Sequence, residues 1–223
     1  MRKIISYCLW GSDPKYCVGA VKNLNSAKDY YPDWDCVFYV SKDVPEEYIQ
    51  QLIDGGAYGI FQCNGESNFS FNVNRFLAVD LEDVSHVISR DTDSRFCQRE
   101  VDAVNDWVDK GTALHVMKDH PYHGNFPILA GMFGINKCKF PFLMKEALSF
   151  FNEQIKDKLD NLYYFDQIFL KNFIWNNFKD DCTIHDEFFH LKPYPSPRID
   201  KRFIGESFEE DDSRNGEHLK FIK

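Results

Sequence analysis

The chain has 223 residues, of which 43% are hydrophobic and 16% aromatic, so it is long and apolar enough to form one large domain with a full core. It carries 26 lysines and arginines against 35 aspartates and glutamates, a formal net charge of −9. This balance argues against a general nucleic-acid-binding or anionic-membrane-binding surface, but it permits a local basic pocket for a diphosphate.

The seven cysteines are scattered along the chain, and none of them forms a Cys-x-x-Cys pair. An odd number without such a pair indicates neither a disulfide framework nor a zinc site. The first residues are too few and too polar for a signal peptide, and no apolar run approaches the ~20 residues that a membrane-spanning helix needs. We therefore expect a soluble cytoplasmic protein.

The first half of the chain alternates between strand and helix patterns. Strands are predicted at residues 3–10, 34–40, 58–63, 84–88 and 112–117, and helices at 15–29, 44–55, 72–80 and 98–110. This alternation predicts a mainly parallel sheet with helices on both faces.

The second half is less regular. The sequence predicts a turn at 120–124, a strand at 129–135, helices at 142–155 and 163–178, a last strand at 183–188, and a tail that frays from residue 211. Two glycines inside the predicted strand 129–135 indicate that a ligand or another backbone approaches closely there. We see no internal repeat and no second domain.

The segment Arg-Asp-Thr-Asp-Ser-Arg at residues 90–95 directly follows a predicted strand. Open α/β sheets place their ligand sites at this end of a strand. Residues two apart in an extended chain point to the same side, so Asp91 and Asp93 can face one ion, and oxygen ligands favour magnesium or manganese. Arg90 and Arg95 flank the pair and are expected to neutralise it in part or to reach phosphate oxygens.

Three other kinds of segment share parts of this pattern. A solvated turn that caps the next helix remains open. A calcium EF-hand loop needs glycine where Phe96 stands. A phosphatase of the haloacid dehalogenase type uses Asp-x-Asp after its first strand, usually with Thr or Val at the fifth position, whereas here Arg95 stands there and the strand is the fourth.

Several motifs together give the chain a resemblance to GT-A-fold glycosyltransferases, in particular small bacterial and viral sugar transferases. They lie at residues 7–16, 75–76 (Arg-Phe), 90–95, 120–123 (His-Pro-x-His), 131–134 (Gly-Met-x-Gly) and 203–206 (Phe-Ile-Gly-Glu). The resemblance covers about residues 3–207. It implies a single α/β domain with a nucleotide-sugar-binding half at about 1–110, an acceptor-binding half at about 111–207 and a tail at 208–223.

The resemblance also implies a site for the nucleotide-sugar donor. Asp91 and Asp93 would hold a divalent ion against its diphosphate, with Asp91 close to the nucleotide. Leu9, Gly11 and Tyr16 would line the nucleotide pocket, although Tyr16 can equally be a core residue at a helix start. Arg75 would reach the phosphate or brace Asp91, or be an ordinary surface arginine.

Four further roles are expected from the resemblance, each with a structural alternative. They concern the general base (Asp166, or Asp119 as second choice), a third metal ligand (His185, preferred to His190), a lid over the diphosphate (Arg198, Lys201 and Arg202), and hydrogen bonds to the acceptor (His120 and His123). The alternatives are a first-turn acid for Asp166, an ordinary core or surface histidine, and a basic patch in a solvated tail.

The leading hypothesis is therefore a metal-dependent glycosyltransferase that uses Mn²⁺ or Mg²⁺, a nucleotide-sugar donor and a glycan or other hydroxyl acceptor. We expect UDP as the nucleotide of the donor, because UDP-sugars are prevalent in this fold class. Inversion of configuration is favoured. The alternatives are a phosphatase or phosphotransferase with Asp91 as nucleophile, and a glycan- or nucleotide-binding domain of the same fold without activity.

Overall fold

The computed structural model describes residues 1–64, 68–155 and 164–222. Within these ranges, seven strands form one sheet. They are β1 (Arg2–Leu9), β2 (Trp34–Val40), β3 (Gly59–Gln62), β4 (Val84–Ser89), β5 (Leu114–Lys118), β6 (Phe133–Asn136) and β7 (Cys182–Asp186). Their order across the sheet is β3-β2-β1-β4-β6-β5-β7.

Helices cover both faces of the sheet. The α-helices are α1 (Pro14–Tyr30), α2 (Glu46–Asp54), α3 (Gln98–Lys110), α4 (Met144–Ile155), α5 (Phe165–Phe169), α6 (Asn176–Phe178) and α7 (Gly216–Leu219). The 3₁₀ segments are Phe69–Asp80, Pro121–Gly124 and Lys137–Lys139, and Leu170–Trp175 is π-helical. In the part of the chain that the structure describes, no helix combines the length and the apolar character needed to cross a membrane.

The sheet is mixed but mainly parallel, as the sequence predicts. β1 pairs in parallel with β2 and β4, β2 with β3, and β5 with β7, whereas β6 runs antiparallel between β4 and β5. The last antiparallel pair joins Ser89 at the end of β4 to Phe133 at the start of β6. Continuing that register by two residues brings Gly131 opposite Asp91, so the segment before β6 lies against the acidic motif.

Two cores lie on opposite faces of the sheet, because successive side chains of a strand alternate between its faces. Ile4 of β1 is buried in a cluster with Phe76 and Phe169. Its neighbour Ile5 is buried in a second cluster with Trp107. Both cores combine aliphatic with aromatic side chains, and aromatic residues make up half of the largest fully buried side chains.

The predicted bounds of β2 and α3 are confirmed, and the other first-half elements lie within a few residues of their predicted positions. The segment predicted as an α-helix at 72–80 is instead 3₁₀, and the predicted strand 129–135 begins only at Phe133. A turn precedes it, closed by a hydrogen bond from Met132 N to Leu129 O of 2.9 Å. The start of the predicted helix 163–178 lies outside the described residues.

The tail predicted to fray from residue 211 is folded against the rest of the protein. Phe208 and Ile222 are buried, and Asp212 accepts a hydrogen bond from Lys22 of α1. Four of the five non-glycine residues with positive φ in the described chain lie between residues 191 and 212. The prediction that the chain frays from residue 211 was therefore wrong.

Candidate functional site

Two cavities adjoin at the carboxyl ends of β1 and β4. The first has a volume of about 420 Å³ and the second of about 350 Å³. Three residues line both cavities: Asn72, Arg75 and Asp91. The two spaces therefore meet at Asp91, which makes this carboxylate the centre of the site.

The first cavity brings together most of the residues that were expected to bind the nucleotide sugar. Leu9, Gly11 and Tyr16 line it, as do Asp91 and Asp93. The side chain of Asp91 is 47% exposed, so its oxygens are available to a ligand. The predicted proximity of these residues is confirmed, while their roles remain predictions.

The loop between β1 and α1 shapes one wall of this cavity. Gly11 has φ of +75°, a conformation that glycine adopts without strain. Asp13 then caps α1 by accepting a hydrogen bond from Lys15 N of 3.0 Å, and Pro14 occupies the first turn. The amino terminus of α1 thus begins beside the cavity, and its helix dipole favours an anionic ligand there.

Arg75 links the acidic motif to the second cavity. Its side chain is only 5% exposed, contacts Asp91 through Nη1 and lies 3.4 Å from Asp166 Oδ2 through Nη2. Burial raises the pKa of Asp166, although the charge of Arg75 opposes this effect. One guanidinium therefore holds two carboxylates on the two sides of the site.

Asp93 has a more enclosed environment than Asp91. Ser207 Oγ donates a hydrogen bond of 2.7 Å to Asp93 Oδ2, and Lys15 Nζ lies 3.7 Å from the same oxygen. Phe208 N also donates to the backbone oxygen of Asp93 at 2.8 Å. Burial raises the pKa of Asp93 most, and repulsion from the charge of Asp91 raises it further.

Asp91 and Asp93 fit a divalent cation. Both are oxygen ligands that line the same cavity, and a cation between them would relieve their repulsion. Mg²⁺ is commonly bound by one or two carboxylates together with substrate phosphates, so a third protein ligand is not required. Among the residues that the structure describes, no group of three or more His, Cys, Asp or Glu is suited to a metal.

The expected third ligand, His185, is not brought to this pair. It is buried in β7, where its Nδ1 lies 2.9 Å from His115 Nε2 and its Nε2 lies 3.1 Å from Asp106. The other candidate, His190, lies 3.9 Å from Asp186 after the same strand. Both histidines therefore have partners at the β7 edge of the sheet. The expectation that one of them is the third metal ligand was wrong.

Asp119 was the second choice for the general base, and the structure does not place it at either cavity. Its side chain is 0% exposed and forms ion pairs with Arg99 at 3.2 Å and Arg198 at 2.8 Å. It also accepts a hydrogen bond of 3.0 Å from Ile204 N. With every side of the carboxylate enclosed in this way, Asp119 anchors the C-terminal segment and is not positioned to meet an acceptor.

The predicted lid does not lie over the diphosphate region. Arg198 is held by Asp119 and Glu187, while Arg202 Nη2 donates to the backbone oxygens of Arg95 and Phe96 at 3.1 and 3.0 Å. Lys201 is exposed on a turn with φ of +55°. These three residues do not line the first two cavities, so the expectation that they form a lid over the diphosphate was wrong.

The arginines that flank the acidic motif also point elsewhere. Arg90 is buried and pairs with Glu100 of α3 at 2.6 Å. Arg95 donates to Thr92 O and Ser94 O and pairs with Asp212. The expectation that they neutralise Asp91 and Asp93 was wrong, because Lys15 and Arg75 provide the neighbouring positive charges.

Sequence reasoning missed several residues that shape the site. Trp10 donates to Asn72 Oδ1 at 2.9 Å and both line the first cavity, while Ser207 reaches Asp93 from a distant part of the chain. Tyr122 and Tyr164 line the second cavity beside Asp166 and are about half exposed. His123, expected on the acceptor side, also lines that cavity, whereas His120 does not.

No model of a known protein family matches the sequence, and no curated protein matches it either. Solved structures do resemble the fold. A glycosyltransferase involved in the glycosylation of the major capsid of PBCV-1 aligns with a TM-score of 0.52 at 11% identity, over 84% of this chain and 82% of that one.

Two further glycosyltransferases resemble the chain to a similar degree. GlyE of Streptococcus pneumoniae TIGR4 aligns with a TM-score of 0.51 at 15% identity, over 83% of this chain and 45% of that one. The galactosyltransferase LgtC, solved in complex with donor and acceptor sugar analogues, aligns with a TM-score of 0.51 at 17% identity, over 83% of this chain and 73% of that one. The chain therefore has the fold of GT-A-type glycosyltransferases, as the sequence motifs predicted.

Proposed function

We propose that the protein is a metal-dependent glycosyltransferase, which moves a sugar from a nucleoside-diphosphate sugar to a hydroxyl group of a glycan acceptor. One observation carries the proposal: Asp91 stands where two adjoining cavities meet, with a second acidic residue of its motif on one side and Asp166 on the other. A transferase needs two substrates to meet at one point, and this arrangement provides it.

In this proposal the first cavity binds the nucleotide sugar. Leu9, Gly11 and Tyr16 line the pocket, and the amino terminus of α1 favours the negative charge of a diphosphate. Asp91 and Asp93 would hold Mn²⁺ or Mg²⁺, and the bound ion would act as a Lewis acid that stabilises the leaving nucleoside diphosphate. We expect UDP as the nucleotide of the donor.

The second cavity would bind the acceptor, with Asp166 as the general base. Direct displacement with inversion requires a base beside the attacking hydroxyl, and Asp166 lines this cavity close to Asp91. Burial raises its pKa, which makes the ionised carboxylate a better proton acceptor. The charge of Arg75 opposes the effect of burial and so favours the ionised form of Asp166.

The experiment that tests this proposal follows the release of nucleoside diphosphate from a panel of nucleotide sugars, with and without Mn²⁺ and with mixed glycan acceptors. We expect Asp166→Asn to lose turnover while it still binds the nucleotide, and Asp93→Asn to lose both. Asp109→Asn, an exposed acid of α3, is the matched control and should behave like the wild type.

A different result would overturn the proposal. If no nucleotide sugar is consumed, but the protein releases phosphate from small phosphoesters and loses that activity in Asp91→Asn, the site is that of a phosphatase with Asp91 as nucleophile. If neither reaction occurs while the nucleotide binds, the fold serves binding alone.

A further inference from the structure

A third cavity lies on the other side of the C-terminal segment and shares no lining residue with the first two. Its volume is about 770 Å³. One wall is a single face of α1, and the other is the chain between Asp200 and Arg214. Arg95 and Phe96, which follow the acidic motif, complete the lining.

Basic residues outnumber acidic ones by one in the lining of this cavity, although the protein as a whole carries −9. Four basic residues line it: Lys22, Arg95, Arg202 and Arg214. The three acidic lining residues are Asp29, Asp200 and Asp212. Two guanidinium groups contact the ring of Phe208, whose centroid lies 5.6 Å from Arg95 Cζ and 4.8 Å from Arg202 Cζ.

The cavity already holds one carboxylate, which belongs to the chain itself. Lys22 Nζ lies 2.6 Å from Asp212 Oδ2, and Arg95 Nε lies 3.0 Å from Asp212 Oδ1. Asp212 adopts φ of +66°, a left-handed conformation that L-residues rarely adopt. Lys22 and Arg95 are therefore arranged so that both can contact one anionic oxygen group.

Two hydrogen-bond donors of the cavity still lack an acceptor. Within the described residues, Arg95 Nη2 and Arg202 Nε are buried and form no hydrogen bond, although Arg202 Nε lies 3.7 Å from Glu206 Oε2 in an ion pair. Buried donors of this kind are rare in native proteins and often indicate a bound water or ion. Both belong to arginines that line the same cavity and contact the ring of Phe208.

We propose that this cavity is a binding site for a small oxyanion, a phosphate or a carboxylate, with Lys22, Arg95 and Arg202 as its ligands and Asp212 as an internal competitor. Guanidinium groups match the geometry of such anions, because two parallel N–H groups meet two oxygens. The anion is either free phosphate or the acidic group of a sugar. The site is separate from the proposed nucleotide-sugar site and does not depend on the proposed function.

The test is a titration of the thermal unfolding temperature with inorganic phosphate and with glucuronate, each against potassium chloride at equal ionic strength. A ligand that binds the native state alone raises this temperature in a saturable manner. We expect saturation for at least one of the two anions, and the tighter of them identifies the source. An effect equal to that of chloride would overturn the proposal.

Variants locate the effect. Asp212→Asn should tighten anion binding at least tenfold because it removes the competitor, whereas Glu210→Gln, with the same loss of charge in the same segment, should not. Lys22→Gln and Arg202→Gln should each weaken binding about tenfold or more, and they remain informative if Asp212→Asn folds poorly. Unchanged binding in Lys22→Gln and Arg202→Gln, with displacement of phosphate by UDP, would place the anion in the first cavity and contradict the assignment.

Discussion

Gly131 lies so close to Asp91 that a β-carbon at position 131 would fall 1.9 Å from Asp91 Oδ2 and 2.5 Å from its Cγ. The antiparallel register between β4 and β6 produces this contact, because it places the residues before Phe133 opposite those that follow Ser89. The side chain of Asp91 keeps its position only because position 131 has no side chain.

Gly131→Ala is therefore expected to turn the Asp91 carboxylate away from the cavity. The displaced group is the end of a side chain, which can change rotamer for about 0.5–1.5 kcal/mol, so the fold should survive. We expect metal-dependent nucleotide affinity to fall at least tenfold, measured by calorimetry, with a small change in the free energy of unfolding. Gly216→Ala, where an added β-carbon meets nothing within 4 Å, is the control. Wild-type affinity in Gly131→Ala would show that the position of Asp91 does not matter.

Arg75→Gln tests whether one guanidinium sets the ionisation of Asp166. Burial raises the pKa of Asp166, and the charge of Arg75 works against it. Removing that charge should raise this pKa further. A general base is active only when ionised, so the acid limb of the kcat–pH profile should move to higher pH. Arg75→Lys keeps the charge and should shift the limb less; identical limbs in all three proteins would contradict the assignment of Asp166.

His123 should make the protein less stable as the pH falls. Burial, with smaller contributions from nearby positive groups, lowers the pKa of His123 to about 3, whereas an unfolded histidine has a pKa of about 6.5. Between these values the unfolded state binds the extra proton, so the free energy of unfolding decreases with falling pH.

The variant His123→Asn isolates this contribution. Asn can still accept the hydrogen bond that Asp119 N donates to His123 Nδ1 at 3.0 Å, but it does not titrate. Urea denaturation between about pH 4 and pH 6.5 should show a slope against pH that is shallower by up to about 1.4 kcal/mol per pH unit. Parallel curves for the variant and the wild type would show that His123 does not titrate in this way.

Glu100→Gln should destabilise the fold without affecting nucleotide binding. The side chains of Arg90 and Glu100 are 2% and 3% exposed, so removing one charge leaves the other buried and uncompensated. Such a change costs about 3–5 kcal/mol. Chemical denaturation measures the loss, with the exposed Glu82→Gln as control. A loss below about 1 kcal/mol, or weakened nucleotide binding at full stability, would argue against a purely structural pair.

The sequence predicts those parts of the fold and site that depend on local patterns. The apolar run of β2 and the amphipathic pattern of α3 determine their bounds, and the loop after β1 and the acidic motif after β4 meet because both follow adjacent parallel strands. The two glycines predicted to permit a close approach do so, but what they meet is side chains: Asp91 at Gly131 and Trp107 at Gly134.

The sequence does not predict partners that come from distant parts of the chain. Asp119 resembles a free acid beside a histidine until Arg99 and Arg198, 20 and 79 residues away, close around it. His185 resembles a metal ligand until β5 places His115 beside it. Ser207 carries no local signal at all, because only the folding of the C-terminal segment brings it to Asp93.

The most direct test of the central claim is thermal unfolding of the wild type and of Asp93→Asn with UDP, GDP, dTDP and CMP, each with and without Mn²⁺. We predict that one nucleoside diphosphate stabilises the wild type only when Mn²⁺ is present, by ~2.7 kcal/mol at a hundredfold excess over its dissociation constant, and that Asp93→Asn abolishes this stabilisation. An equal stabilisation of both proteins in the presence of Mn²⁺, or none with any nucleotide, would contradict the assignment of Asp91 and Asp93 as the metal and nucleotide-sugar site.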